Sequence, residues 1–213
     1  VQTIGISSGL VGHWTFDGSK LLQNVVDSSG RGNTGRLLGS TPTTTVIGKL
    51  GQALMFDGNA GVTAGTDSSL GVAAGNGTWA AWIYPLAPHN STAYDQVIFD
   101  KENASGGGVF LNLQNNGMCI YNGAADCGTV PIAASRWVHI ALVKTGTNAA
   151  MYINGVLDTT KTWTGGAQAG VAQGIGYDTN TGGREFAGAI DDARIYNRAL
   201  SADEVKRLYQ LGP

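Results

Sequence analysis

The sequence predicts an all-β protein, a sandwich or barrel of short antiparallel strands, and three observations support this class. Strand-like segments recur at short intervals along the 213 residues. Glycine is abundant (33 residues) and proline is scarce (5), as many tight turns between strands require. Only one segment, near the end of the chain, has convincing helix signals. With 42% hydrophobic residues the chain can bury one sizeable core, so we expect a single domain over residues 1–213.

The strand-like segments are, in chain order, "GLVGHWTF", "QALMFDG", "TWAAWIYPL", "DQVIFDK", "GVFLNL", "GMCIYN", "RWVHIALVK", "AAMYING", "GVLDTT" and "REFAGAIDDARIY". Both faces of "TWAAWIY" and "RWVHIALV" are apolar. We therefore expect one sheet with core on one face and a loop layer or binding surface on the other. Four tryptophans are assigned to strands and mostly to core: Trp14, Trp79, Trp82 and Trp137.

Local signals define one hairpin, one helix and one loop. Asn154-Gly155 between two strand-like runs is a strong two-residue hairpin signal. Ser201 and Glu204 form an S-x-x-E capping box, which predicts a short C-terminal helix lying on the sandwich through Val205 and its apolar neighbours. The Thr-rich segment "GSTPTTTVIGKLGQ" is interpreted as a loop.

The two cysteines, Cys119 and Cys127, are separated by "IYNGAAD", whose Asn-Gly suits a hairpin turn that would bring them together. A disulfide would place the protein outside the cytoplasm. The alternative is a pair of unrelated buried thiols.

The charge and hydropathy pattern excludes several partners. Charged residues make up only 13% of the chain and the net charge is −2, which disfavours nucleic acid and anionic membranes as partners. The apolar runs are too short to span a bilayer, so we expect no membrane insertion. The start of the chain shows no targeting peptide, and a trimmed sequence would look the same.

Several motifs agree in order and spacing with a known family: "LVGHWTFDG", "DSSGRGNTGRL", "GQALMFDG", "RWVHIALVK", "AAMYINGVLD" and "FAGAIDDARIYNRALSADEVKRLY". Together they resemble the bacterial laminin G-like domains of the concanavalin A-like lectin/glucanase superfamily. The resemblance implies a jelly-roll sandwich of two antiparallel sheets, usually a module of a larger secreted or surface protein. It further implies glycan or protein ligands and often a Ca²⁺ site at the rim.

Two acidic residues at opposite ends of the chain are the main metal candidates. Asp17 ends the first strand and Asp191 lies in the last, and the resemblance implies that these strands are neighbours. Because Ca²⁺ needs six to eight oxygens, Asp27 and Asn33 of "DSSGRGNTG" are added as ligands. In the alternative, Asp17 and Asp27 cap turns, and Asp191 accepts backbone hydrogen bonds. Scattered histidines and the cysteine spacing disfavour zinc.

Strand alternation separates the adjacent Asp191 and Asp192. It places Asp191 inward, on the face of Ala193 and Ile195, and it places Asp192 outside, where it pairs with Arg194. A buried carboxylate needs a cation or N–H donors, which favours Asp191 as the ligand.

Catalysis has one candidate pair, Asp100 and Glu102, which share a face if their strand continues through "VIFDKE". The E-x-D-x-x-E motif of the related glucanases is absent. A polar strand end before a Gly-rich turn is the favoured interpretation.

Sugar sites on β-sandwiches place aromatic rings beside amides and carboxylates, so aromatic residues in loops are candidates. Three aromatic residues lie in loop-like surroundings: Trp163, Tyr94 and Tyr177. The densest cluster of candidate ligand-binding residues consists of Tyr177, Asp178, Asn180 and Arg184. Surface aromatics packed on their own loops are the alternative.

These observations favour a secreted or surface-attached, non-catalytic recognition module that binds Ca²⁺ and glycans. A protein-adhesion or structural module of the same fold is the second hypothesis. A glycosidase or lyase that uses Asp100 and Glu102 is the third.

Overall fold

The computed structural model describes residues 5–18, 24–39, 44–71, 75–87, 96–102, 108–121, 123–165, 170–180 and 182–213. Within these residues the chain forms two antiparallel β-sheets and one C-terminal α-helix, α1 (Ala202–Leu211), with a 3₁₀ turn at Ser68–Leu70. The predicted all-β class, the two-sheet sandwich and the single short C-terminal helix are confirmed.

The first sheet has the spatial order β13 (Val156–Thr162), β12 (Asn148–Ile153), β11 (Val138–Thr145), β6 (Asn76–Pro85), β15 (Ala187–Tyr196), β4 (Gln52–Asp57) and β3 (Thr44–Ile47), with β1 (Leu10–Trp14) also paired to β15. The second sheet has the order β10 (Ala125–Cys127), β9 (Gly117–Tyr121), β8 (Gly108–Gln114), β7 (Gln96–Glu102), β14 (Gly174–Ile175), β5 (Gly61–Thr63) and β2 (Arg36–Leu38).

All the strand-like segments found in the sequence are strands. Five short strands were not predicted: β2, β3, β5, β10 and β14. They have two to four residues each, too few to show a period, and their longer neighbours supply the pairing. The interpretation of "GSTPTTTVIGKLGQ" as a loop is wrong for Thr44–Ile47, which pairs with β4.

The central strand β6 is apolar on both faces, as predicted. Trp79, Ala81 and Ile83 lie in the core between the sheets. Ala80 faces the other way and packs with Val205 of α1, so the outer face of the first sheet is partly covered by the helix. This arrangement places the helix on the sandwich as the sequence predicted.

The capping box of α1 is formed. The Ser201 hydroxyl accepts a hydrogen bond from the Glu204 N–H (3.2 Å), and the Glu204 carboxylate accepts one from the Ser201 N–H (2.9 Å). Two hydrogen bonds from the Arg198 guanidinium (2.8 and 2.6 Å) help to lower the pKa of Glu204 to about 2. The start of the helix is therefore held by both the backbone and an ion pair.

The predicted disulfide and the predicted two-residue hairpin turn are both present. Cys119 and Cys127 are directly opposite each other in the β9–β10 pair and form the disulfide. Asn154 and Gly155 both have positive φ (52° and 75°), as a type I′ hairpin turn between β12 and β13 requires.

Strand β15 changes its neighbour halfway along. Ala187–Ile190 pairs with β4, and Ala193–Tyr196 pairs with β1. On its other edge, the register with β6 shifts between Asp191 and Arg194. We call the position of Asp191 and Asp192 the β15 junction.

A bulge at the β15 junction corrects the prediction for Asp191. Asp192 has φ +50°, and Asp191 is opposite Trp82 on the outer face of the first sheet. Ala193 and Ile195 face the core between the sheets. The strand contains an extra residue, so the alternation that put Asp191 on the inward face does not hold across it.

No helix in the described part of the chain is long and apolar enough to cross a membrane.

Candidate functional site

Asp191 is a fully buried carboxyl group at the β15 junction. Its Oδ2 accepts a hydrogen bond from the Leu50 N–H (2.7 Å), whereas Oδ1 has no hydrogen-bond partner among the described residues. Burial raises the pKa of Asp191 to about 7. A buried acid with an unpaired oxygen is unfavourable unless a cation or further donors complete its surroundings.

Asp17, three residues after the end of β1, contacts the same chain segment as Asp191. It is exposed, and its Oδ1 accepts a hydrogen bond from the Gln52 N–H (2.8 Å). The two carboxylates therefore accept hydrogen bonds from backbone amides two residues apart, those of Leu50 and Gln52. We call residues 48–52 the 48–52 loop.

Two glycines of the 48–52 loop make room for these carboxylates. A Cβ at Gly48 would clash with Oδ2 of Asp191, and a Cβ at Gly51, which has φ +72°, would clash with Oδ1 of Asp17. The loop therefore passes close to both acidic groups only because these positions carry no side chain.

Asp27 and Asn33 form a separate turn, which corrects their predicted place beside Asp17 and Asp191. Asp27 accepts four hydrogen bonds: from the N–H groups of His13, Ser29 and Asn33 and from the Ser29 hydroxyl (2.8–2.9 Å). The Asn33 amide donates to the Val11 carbonyl (2.7 Å). The turn braces β1 and matches the alternative of turn capping for Asp27.

Asp192 makes a buried ion pair, and its predicted exposure is wrong. It accepts two hydrogen bonds from Arg194 (2.9 Å each) and contacts Nε2 of His13 (2.6 Å). Burial opposes ionisation, but His13 and Arg194 lower the pKa of Asp192 below its ordinary value. Only its pairing with Arg194 follows the prediction.

Asp17 and Asp191 fit a hard cation in part. Such an ion would use the Asp17 carboxylate and the unpaired Oδ1 of Asp191, and backbone carbonyls can supplement such a pair for Ca²⁺. In the described part of the chain no three His, Cys, Asp or Glu side chains gather as a metal site. A cation held here would therefore have two carboxylate ligands from the described residues.

A second polar group, the arginine cluster (Asp100, Glu102, Asp178 and Arg184), lies on the second sheet. Arg184 Nε donates to Asp178 (2.6 Å), and its NH2 group lies 3.4 Å from Glu102. The guanidinium carbon stands 4.3 Å from the centre of the Phe110 ring. Arg184 is thereby fixed in orientation, while 28% of its side chain stays exposed.

The two carboxyl groups of the predicted catalytic pair are buried in the arginine cluster. Asp100 accepts hydrogen bonds from the Thr179 N–H (2.6 Å) and hydroxyl (2.5 Å) and from the Glu102 N–H (3.0 Å). Burial raises the pKa of both Asp100 and Glu102, and each is raised further by nearby carboxylates.

The structure thus joins two sets of residues that the sequence analysis treated separately. Asp178 and Arg184 were predicted as ligand-binding, and Asp100 and Glu102 as a catalytic alternative. Tyr177, partly exposed, and Asn180, exposed, flank Asp178 and Thr179 in the chain. Sequence reasoning missed Phe110 and Thr179 because their contacts depend on tertiary packing.

Trp163 corrects the prediction of an exposed loop aromatic. It is fully buried, stacks edge-on against Trp79 at 6.1 Å, and donates its indole N–H to the Tyr121 carbonyl (3.2 Å). It belongs to the core. Tyr94 lies outside the described residues.

A laminin G-like family model of the concanavalin A-like lectin/glucanases superfamily matches residues 56–206. The chain belongs to this family. The sequence matches no curated protein at a significant level.

Solved structures show the same fold at low identity. Domain 4 of AbnA, a GH43 extracellular arabinanase from Geobacillus stearothermophilus in complex with arabinotriose, is 23% identical with a TM-score of 0.72, covering 94% of this chain and 98% of that one. The binding domain of Paraclostridial Mosquitocidal Protein 1 is 17% identical with a TM-score of 0.76, covering 96% of this chain and 52% of that one.

A structure of botulinum neurotoxin type C, whose cell entry is described as dependent on two ganglioside molecules, is 13% identical. Its TM-score is 0.72, and the match covers 97% of this chain and 52% of the toxin chain. The laminin G-like chain therefore spans about half of the mosquitocidal-protein and neurotoxin chains and nearly all of the arabinanase domain. At these identities the likeness establishes the fold.

Proposed function

We propose that this laminin G-like chain is a non-catalytic, extracellular glycan-recognition module that holds Ca²⁺ at the β15 junction. The observation that carries the proposal is the arginine cluster: a partly exposed guanidinium fixed by Asp178 and Glu102 over the Phe110 ring. A pre-oriented guanidinium can donate to vicinal hydroxyl groups of a sugar at little entropic cost.

Two groups close to Asp178 in the chain, Tyr177 and Asn180, are proposed to extend this surface. Tyr177 offers a partly exposed ring and Asn180 an exposed amide. Few polar groups beside an aromatic ring are typical of saccharide sites. The complex of the AbnA domain with arabinotriose and the ganglioside dependence of the type C toxin support a glycan or cell-surface ligand for this chain.

The disulfide and the fold relatives support an extracellular location. The similar AbnA domain is named as domain 4 of an extracellular arabinanase, which supports a role for this chain as a module of a longer protein.

For the cation, the proposed ligands are the Asp17 carboxylate and Oδ1 of Asp191, with carbonyl oxygens supplying the remaining positions. A bound Ca²⁺ would supply the positive charge that the buried Asp191 lacks. Its role here is structural: it would fix the 48–52 loop between the first and last strands.

The geometry of Asp100 and Glu102 supports the non-catalytic assignment. Both are buried (0% and 5% exposed), and Asp100 has donors on each oxygen. A glycosidase needs two carboxyl groups that face the scissile bond. Their raised pKa values nevertheless favour hydrolysis as a second candidate. Release of reducing ends from arabinan that disappears in Asp100→Asn would establish it.

The test of the first proposal is calorimetric titration with arabinotriose and with a ganglioside oligosaccharide. We expect Arg184→Lys, which keeps the charge but loses the planar fork, to weaken binding about 10-fold, or ~1.4 kcal/mol. Asn180→Ala should weaken binding about 3-fold. Asn24→Ala, at another exposed amide, is the matched control and should bind as the wild type.

Binding that is unchanged in Arg184→Lys and Asn180→Ala would refute this site. A glycan array without hits, together with capture of a defined protein ligand, would favour the adhesion module instead.

A further inference from the structure

We infer that the chain has a second saccharide-binding surface, on the outer face of the first sheet, built on the aromatic pair (Tyr84 and Trp137). The inference rests on the proposed glycan-binding function and adds a contact surface separate from the arginine cluster. The two rings are 5.6 Å apart and meet edge to face at 61°.

Trp137 is distinctive among the five tryptophans because it alone is partly exposed. The other four are at most 2% exposed: Trp14, Trp79, Trp82 and Trp163. Each Å² of aromatic surface that stays in water lacks the stabilisation of about 25 cal/mol that burial would contribute. An indole face in water beside a second partly exposed ring is therefore a candidate contact surface.

The aromatic pair is held on rigid elements. Tyr84 lies near the end of β6, and Trp137 directly precedes β11, whose first residue is opposite Ile83. The Ser135 N–H donates to the Pro85 carbonyl (2.8 Å), and Ser135 has a left-handed backbone (φ +59°). This turn fixes the approach of Trp137 to β6, so that the rings are oriented before a ligand arrives.

The surroundings of the aromatic pair are mixed apolar and polar. Met55 of β4 lies on the same face, two strands from Tyr84, with Ala189 of β15 between them. It is partly exposed. Leu86 is 50% exposed, and Arg136 and Ser135 are exposed beside the pair. Exposed donors at the rim of an aromatic surface suit the alternating C–H and O–H groups of a sugar ring.

Helix α1 borders the aromatic pair on one side. On the same face, two residues along each strand, lie Trp82 and His139, both 2% exposed. Tyr209 of α1 packs over both rings, with its centroid 5.5 Å from that of Trp82 and 6.2 Å from that of His139. The exposed aromatic surface is therefore confined to Tyr84, Trp137 and their rim.

The size of the surface favours a sugar over a folded protein partner. Tyr and Trp side chains present about 150–250 Å² each when fully exposed, and both rings here are partly covered. A stable protein interface needs about 800 Å² from each partner. One or two saccharide rings match the available area.

Fluorescence provides a direct test because Trp137 supplies the accessible tryptophan emission. Acrylamide quenching is measured with and without millimolar arabinotriose, xylotriose, cellotriose or β-1,4-galactotriose. We expect at least one trisaccharide to halve the quenching slope. Trp137→Phe should remove most of the quenchable emission, and Tyr84→Ala should abolish the protection by sugar.

Two further variants separate this surface from the arginine cluster. Arg184→Lys should leave the protection of Trp137 unchanged, and Tyr121→Ala, at a tyrosine that is 37% exposed on the second sheet, is the matched control for Tyr84→Ala. Circular dichroism and melting curves verify that each variant folds.

The outcomes distinguish the two assignments. Calorimetric binding that depends on Arg184 while no sugar protects Trp137 would overturn the second surface and leave the proposed function standing. No binding by either method would overturn both. Quenching that falls with protein concentration in the absence of sugar would show self-association at the aromatic pair and refute the saccharide assignment.

Discussion

Substitution of Asp191 by Asn should stabilise the cation-free protein. In the folded chain burial raises the pKa of Asp191 from 3.8 to about 7, and Oδ1 has no partner among the described residues. Because the folded pKa lies above the unfolded one, the contribution of this carboxyl group is favourable below about pH 4. It is lost as the pH rises through 7.

The size of the effect follows from this shift. Ionising Asp191 in the fold costs ~4 kcal/mol at pH 8 without a cation. An Asn side chain keeps an acceptor for the Leu50 N–H but adds an unpaired NH₂ group, which offsets ~2 kcal/mol. In chelator, Asp191→Asn should therefore gain ~2 kcal/mol, or ~4–8 °C in Tm for a chain of this length.

Ca²⁺ should reverse the order of stability. At 100 times its Kd, Ca²⁺ adds ~2.7 kcal/mol to the wild type. Asp191→Asn should gain almost nothing. The assay is urea unfolding at pH 8 in chelator and in Ca²⁺, with the exposed Asp203→Asn as control. A variant that is less stable than the wild type in chelator, or that keeps the full Ca²⁺ response, would refute the reasoning.

Four other variants test the packing around the sites, all by urea unfolding. Burial lowers the pKa of His139 to about 4, so the wild type should lose ~2 kcal/mol between pH 7 and 5 that His139→Phe retains. Trp163→Ala should cost ~3–5 kcal/mol because it opens a core cavity. Replacing Cys119 and Cys127 by Ser should cost ~2.5 kcal/mol by the loop-entropy estimate. Glu204→Gln should cost ~2 kcal/mol at pH 7, and this loss should shrink as the pH falls from 4.5 towards 2, where the wild-type carboxylate protonates.

Each of these has an outcome that contradicts it. The His139 prediction is wrong if the wild type and His139→Phe lose the same free energy of unfolding between pH 7 and 5. The carboxyl groups that titrate in this range are present in both proteins and affect both equally. A Trp163→Ala variant within 1 kcal/mol of the wild type would argue against its place in the core. Equal stability of the oxidised and cysteine-free proteins would remove the disulfide from the account. Glu204→Gln should leave glycan binding intact, and a loss of binding would count against the separation of α1 from the ligand surface.

The long strands were predictable because their patterns are local. The apolar faces of β6 depend on alternation over ten residues, and the capping box of α1 is complete within four. Short strands such as β14 form only because β5 and β7 supply hydrogen bonds on both sides. No local pattern contains that information.

The candidate sites were predictable in composition but not in geometry. Asp17 and Asp191 were identified, yet the side on which Asp191 lies depends on a bulge at Asp192 that shifts the alternation by one residue. Trp163 was misplaced because its Thr- and Gly-rich neighbours are typical of a loop, while its ring is held by contacts with Trp79 on another strand. Asp27 was predicted as a cation ligand because the sequence does not show its four hydrogen-bond donors. These donors come together around the carboxylate only in the folded turn.

The β15 junction also joins parts of the chain that are far apart in sequence. Strand β1 pairs with β15, for example at Trp14 and Ala193, and Asp191 of β15 accepts a hydrogen bond from the 48–52 loop. Contacts between such distant positions close long loops of chain, which slows folding. A cation held by Asp17 and Asp191 would bind a chain whose two ends have already met, so that the ion acts as a clasp on a completed fold.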